Sequence, residues 1–172
     1  FAAPIYFFLL KRVAGQEGVE TEVPNAEAIE RDLSKKRLGY YCYFQAQEHK
    51  EKNQPVLCNA LLKTAADKGD VRAQYQYAQM LALGQGGPIN FENARVYLKR
   101  AADQGMKEAQ YSYARLLAGG QGGPVDFENA RVYLKRAAAQ GLKEAQNNYG
   151  NLLSKGEGGP VDFVNARIYF KG

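Results

Sequence analysis

The chain has 172 residues and is 45% apolar, which suits one ordinary domain or a short array of repeats with a packed interior. Lys and Arg number 23 against 18 Asp and Glu, for a net charge of +5. The acids are interleaved with the bases throughout, which speaks against a nucleic-acid surface and leaves only a mild preference for an acidic partner.

The first stretch, FAAPIYFFLL, is apolar and is followed by Lys11 and Arg12. It is too short to span a bilayer, which takes about 20 residues. Two readings stay open. It is the end of an export or anchor segment whose remainder lies upstream of Phe1, or it is a short element covering one end of the fold. Residues 13–35 read as a loop and then a helix starting near Asn25, which can cap it with Pro24 just outside. Residues 1–35 therefore form an apolar segment and a capping helix.

From residue 36 onward the chain repeats itself every 36 residues. AADKG at 65–69 returns as AADQG at 101–105 and AAAQG at 137–141. AQYQYAQML at 73–81 returns as AQYSYARLL at 109–117 and AQNNYGNLL at 145–153. Gly-Gly-Pro returns at 86, 122 and 158. The expected units are a degenerate repeat at 36–70, full repeats at 71–106 and 107–142, and a truncated repeat at 143–172.

In the degenerate unit, KKRLGYYCYFQAQ stands for a first helix and PVLCNALLKTAADKG for a second. The linker between them, EHKEKNQ, has lost its glycines, so a loop of different shape is expected there. A terminal repeat is expected to be atypical because one of its faces meets no neighbour.

In the full units the first helix is expected from about Arg72 to Leu83. Ala73, Tyr77, Met80 and Leu81 fall at spacings of three and four on one face. GQGGP ends it, because glycine accepts a left-handed backbone and Pro88 cannot continue a helix. Asn90, Asp126 and Asp162 each stand where a side-chain oxygen would cap the second helix. That helix carries Phe91, Ala94, Tyr97 or Val96, Leu98, Ala101 and Ala102. Gly105 and Gly141 are expected to close it as C-caps. One such hairpin cannot bury its own apolar face, but stacked hairpins can. The expected fold is all-α: a right-handed α-α superhelix, or solenoid, of helix hairpins behind an N-terminal capping segment. Ala78, Ala114 and Gly150 in first helices, and Ala94, Ala130 and Ala166 in second helices, mark close helix approach.

The alanine, tyrosine and glycine pattern resembles the Sel-like repeat, a relative of the tetratricopeptide repeat. It is carried by Ala73, Gln74, Tyr77, Ala78, Leu81, Gly84, Gly86, Pro88, Ala94, Tyr97, Ala101, Ala102 and Gly105. The resemblance covers about residues 36–172. It departs at Tyr97, Tyr133 and Tyr169, where the family often has Trp.

Cys42 and Cys58 are the two cysteines. They stand 36 residues before Ala78 and Ala94, the small positions where paired helices should touch. A disulfide between them is the favoured expectation, and two buried free thiols are the alternative. The resemblance implies the same, since extracytoplasmic relatives cross-link helix pairs with cysteines. A bridge would place the protein in an oxidising compartment such as a bacterial periplasm, with an anchor upstream of Phe1 still open.

No catalytic constellation is legible. The one histidine, His49, stands in the charged linker and is expected to be solvated. No metal set or cofactor is expected, because two Cys and one His lack a ligand spacing. GQGGP follows a helix and lacks the Lys-Ser/Thr of a phosphate loop. In a helix-pair solenoid the first helices line the concave side. Their non-core positions are Arg72, Tyr75 and Gln79, then Glu108, Tyr111 and Arg115, then Glu144, Asn147 and Asn151. Tyr and Arg are enriched in binding hot spots, so this set is the candidate partner-binding face.

The resemblance implies a non-catalytic protein-binding module. Its narrower form is a bacterial immunity protein that binds and inhibits a toxic effector, such as a lipase-type effector of a type VI secretion system. The alternative is an envelope-assembly or adaptor scaffold. A hydrolase, like relatives linked to β-lactam hydrolysis, is the weakest expectation.

Overall fold

The computed structural model describes residues 35–170, with side chains from Leu38 onward. The apolar segment and the helix expected from Asn25 lie outside the described residues. Among the described residues there are eight helices and no strand. They are α1 (Lys35–Glu51), α2 (Pro55–Asp67), α3 (Val71–Leu83), α4 (Phe91–Asp103), α5 (Lys107–Gly119), α6 (Phe127–Ala139), α7 (Lys143–Lys155) and α8 (Phe163–Phe170). The chain is an all-α array of helical hairpins, as the period implied. It divides into two compact units, one ending at Ile89 and one beginning at Asn90.

In the first unit, α2 packs against both α1 and α3. Leu38, Cys42 and Ala46 line the buried side of α1 at intervals of four, the spacing of one helical face. Leu61, Leu62, Ala65 and Ala66 meet them from α2, and Ala73, Tyr77, Ala78, Met80 and Leu81 are buried on α3. The expected loop EHKEKNQ is mostly helix. Residue Glu48 stands where Gly84 ends α3, so nothing stops α1 until the turn Lys52–Gln54. The length that later repeats give to a glycine loop is taken up here by an extra turn of helix, and the period survives. The turn bends at Asn53, with φ 54°, and Pro55 then opens α2 at its first position. His49, expected in solvent, is instead buried on α1, and its Nδ1 is hydrogen bonded to Gln54 Oε1.

In the second unit, each helix from α4 to α8 packs against the next. Asn90 and Asp126 cap α4 and α6 through side-chain oxygens that accept from the amides of Asn93 and Asn129. Asp162 does the same for Asn165 at the start of α8. Tyr97 is buried and Val96 is 46% exposed, which settles which of the two belongs to the core. Tyr133 and Tyr169 pack edge-on against Tyr113 and Tyr149, with centroids 4.8 and 4.9 Å apart. The C-caps of α4 and α6 are Gln104 and Gln140, so Gly105 and Gly141 sit one residue beyond the expected place. They are the left-handed residues that follow the cap.

Two recurring contacts join neighbouring elements. The Gln of each Ala-Gln pair reaches back to the end of the preceding helix. Gln74, Gln110 and Gln146 donate from Nε2 to the carbonyls of Ala66, Ala102 and Ala138, at 3.2, 3.1 and 3.3 Å. Gln74 and Gln110 are buried, where such a bond is worth about 1 kcal/mol and its loss more. The glycine loops also seat on the preceding repeat. Gly122 lies so close to the start of α4 that a Cβ there would be 2.2 Å from the Phe91 carbonyl oxygen. Arg95 then donates from a guanidinium nitrogen to the Pro124 carbonyl, and Arg131 does so to Pro160, both at 3.1 Å. In the first unit Asn59, 36 residues before Arg95, donates to the Gln85 carbonyl in the same way.

Candidate functional site

The candidate residues of the first unit form a compact polar and aromatic face across α1 and α3. Asp70 caps α3, accepting from the amides of Arg72 and Ala73. Its other oxygen lies 3.2 Å from the Arg72 guanidinium and holds that side chain back along the helix. There the guanidinium sits 4.3 Å from the Tyr43 ring centroid and 5.4 Å from that of Tyr40. A cation over two rings is attracted to both π faces, and the Asp70 hydrogen bond raises the guanidinium pKa further. One turn further on, Gln79 donates to the Tyr75 hydroxyl at 2.9 Å. Between these, Gln47 donates to Gln76 Oε1 at 2.7 Å, and Gln76 in turn reaches the Tyr43 hydroxyl.

The second unit repeats the theme on α5 and α7. The Arg115 guanidinium lies 5.8 Å from the Tyr111 ring centroid, and Asn148 approaches the Tyr111 hydroxyl at 3.5 Å. Glu108 is half-buried, whereas Glu144, Asn147 and Asn151 are exposed. Asn151 and Arg115 share a small crevice of about 160 Å³. The structure thus groups Arg72, Tyr75 and Gln79 in one unit, and Tyr111, Arg115 and Asn151 in the other.

Sequence reasoning missed Tyr40, Tyr43, Gln47, Gln76 and Asn148. The signal was present for Tyr43. Tyr43 stands 36 residues before Gln79, so projecting the first-helix register back into the degenerate repeat would have found it. Tyr40, Gln76 and Asn148 escaped because their shared phase lies between the core and the exposed face.

Cys42 and Cys58, the pair expected to face each other, are two free thiols in this structure. Both are buried. Cys58 Sγ lies 3.8 Å from the Met80 sulfur, and burial pushes the Cys42 thiol up to about 11. Among the described residues no three His, Cys, Asp or Glu side chains converge as a metal set. No described helix is long and apolar enough to cross a membrane.

Hairpins of this kind define a helical repeat module of the solenoid class. Four Sel1 repeats are matched, over residues 34–70, 71–106, 107–142 and 143–171, and the chain belongs to the Sel1 repeat family. It is 33% identical to a Sel1 repeat protein from Oxalobacter formigenes over 64% of this chain and 83% of that one, with a TM-score of 0.57. It also resembles c5321, a protective antigen of uropathogenic Escherichia coli strains with an SLR fold, at 24% identity and a TM-score of 0.68. That match covers 94% of this chain but about a third (32%) of c5321, and it speaks for the fold alone. No match was found among curated proteins. Sel1 repeat proteins are generally protein-interaction modules, and their fold is generally a non-catalytic scaffold.

Proposed function

We propose that this chain is a protein-binding module that performs no bond chemistry and holds its partner through the polar and aromatic faces of its first helices. The observation that carries the reading is the pairing of Arg72 with Tyr40 and Tyr43, echoed by Arg115 with Tyr111. Arg and Tyr already held in place lose little side-chain freedom on binding, and these residue types dominate interface energetics. Arg72 and Arg115 are exposed, so replacing them tests the face without disturbing the core. With tagged protein as bait, Arg72→Ala and Arg115→Ala together should lower recovery of the native partner at least tenfold at unchanged melting temperature. Undiminished recovery, or loss only with Val96→Asp and Val132→Asp on the second helices, would place the binding face elsewhere.

The narrower form of the proposal is that the partner is a toxic effector and the chain is its immunity protein, acting in a bacterial periplasm. Inhibition by covering an enzyme needs a face and no reactive centre, which fits this site. Co-expression with candidate effectors, lipase-type ones first, is the test. Protection that disappears with the Arg72→Ala/Arg115→Ala variant supports it. No protection, together with recovery of envelope components, would make the chain an assembly scaffold.

A further inference from the structure

The altered turn of the first repeat does more than shorten a loop. Behind it lies a pocket of about 670 Å³, within the range typical of ligand sites. Leu62, Gln76, Gln79 and Met80 line it. The residues 72 positions later, Leu134, Asn148, Asn151 and Leu152, line the crevice of about 160 Å³ in the second unit. The two hollows are therefore the same register position, one roughly four times the other.

The difference arises at the loop. Lys50, Asn53 and Gln54 form one wall of the larger pocket. Their counterparts, Gly122, Val125 and Asp126, do not line the smaller one, and Gly122 is seated on the start of α4 instead. Loss of the glycines has thus turned a closed seam into an open hollow.

Its chemistry is defined by three kinds of residue. Leu62 and Met80, with Cys58 beside them, supply an apolar floor. Gln54, Gln76 and Gln79, whose amides already hold His49, Gln47, Tyr43 and Tyr75, turn their remaining donor and acceptor capacity to the hollow. Among the described residues of the lining Lys50 is the one ionic side chain, and it is exposed at the rim. A carboxylate on the occupant would gain a screened attraction to that ammonium, which a neutral group would lack. We propose that this pocket receives an extended segment of the partner protein, with a leucine-sized apolar side chain on the floor and an adjacent carboxylate at Lys50. The assignment rests on the reading of the chain as a protein-binding module and places one contact of that partner.

The chain has two methionines, Met80 in the pocket and Met106 in the other unit, so a methyl-¹³C-methionine sample yields one reporter and one internal control. The probes are acetyl-Leu-Asp-methylamide and its neutral match, acetyl-Leu-Asn-methylamide. The Asp peptide should shift the Met80 methyl in a saturable way at millimolar concentration, with Met106 unmoved. It should bind at least threefold more tightly than the Asn peptide. Lys50→Gln should erase that difference while leaving the Asn titration and the melting temperature as they were. No Met80 shift, equal shifts of both methyls, or equal affinity for the two peptides in the wild type would each overturn the assignment. If the peptides fail while Arg72→Ala/Arg115→Ala still abolishes partner capture, the binding-module reading stands and the pocket assignment alone falls.

Discussion

The seating of glycine loops on the preceding repeat can be tested with one pair of substitutions. Gly122 and Gly141 have nearly the same backbone, φ +75° and +80°. A Cβ on Gly141 would meet nothing within 4 Å, whereas one on Gly122 would lie 2.2 Å from the Phe91 carbonyl oxygen. Alanine at either site carries the left-handed strain of about 1–2 kcal/mol, partly offset by about 0.4–1 kcal/mol from a stiffer unfolded chain. Gly141→Ala should therefore cost roughly 1 kcal/mol. Gly122→Ala adds a backbone clash that no rotamer relieves, and overpacking of that kind costs about 1–3 kcal/mol more. At about 2–4 °C per kcal/mol for a chain this long, the expected losses in Tm are about 2–4 °C for Gly141→Ala and about 4–16 °C for Gly122→Ala. Circular dichroism melts of both variants in one buffer measure the difference. Equal losses would mean that the loop is not pressed against α4, and the account of how the repeats join would fail.

Gly150 should behave in the opposite sense. Its added Cβ would meet the ring edge of the half-exposed Phe170, which can swing away, so Gly150→Ala should gain roughly 0.5–1 kcal/mol of helix propensity and raise Tm slightly. A fall would show that the small residue is required for packing, as the sequence suggested. Acid should weaken the second unit through its caps. Hydrogen bonds from Asn129 and Asn165 hold the Asp126 and Asp162 carboxyls below their ordinary 3.8. A depressed pKa contributes stability above the unfolded value that is lost as pH falls through the folded value, so the loss belongs below about pH 4. Asp126→Asn/Asp162→Asn keeps the caps, as Asn90 does, and should flatten the fall of the urea midpoint between pH 4 and 2.5; an unchanged slope refutes the cap origin. Burial raises the pKa of both thiols, so Ellman's reagent should react slowly with native protein at pH 8 and find two thiols after unfolding. No thiol in the unfolded, unreduced chain would restore the bridge.

Most of the architecture was legible because it is local. A 36-residue period, apolar residues at intervals of three and four, and, from residue 71 onward, glycine after each first helix and Asn or Asp before each second one are all written within a few residues of where they act. The Arg72, Tyr75 and Gln79 face followed from the same phase. The partners of that face were less legible. Tyr43 called for projecting the register back into the degenerate repeat, Tyr40 falls at the phase of Gln76 outside that register, and no local pattern marked Arg95 as the donor to the Pro124 carbonyl 29 residues away.

By itself, then, the order of residues determined that hairpins form, where they begin and end, and which small side chains lie between them. Tertiary structure decided the fate of the degenerate repeat: that α1 runs on through His49, that both cysteines are buried, and that a pocket opens where glycine loops would have closed the seam. The physical reason is range. Helix starts and stops are set by neighbours in sequence, whereas burial of His49 and the width of a crevice depend on how far segments from separate helices approach.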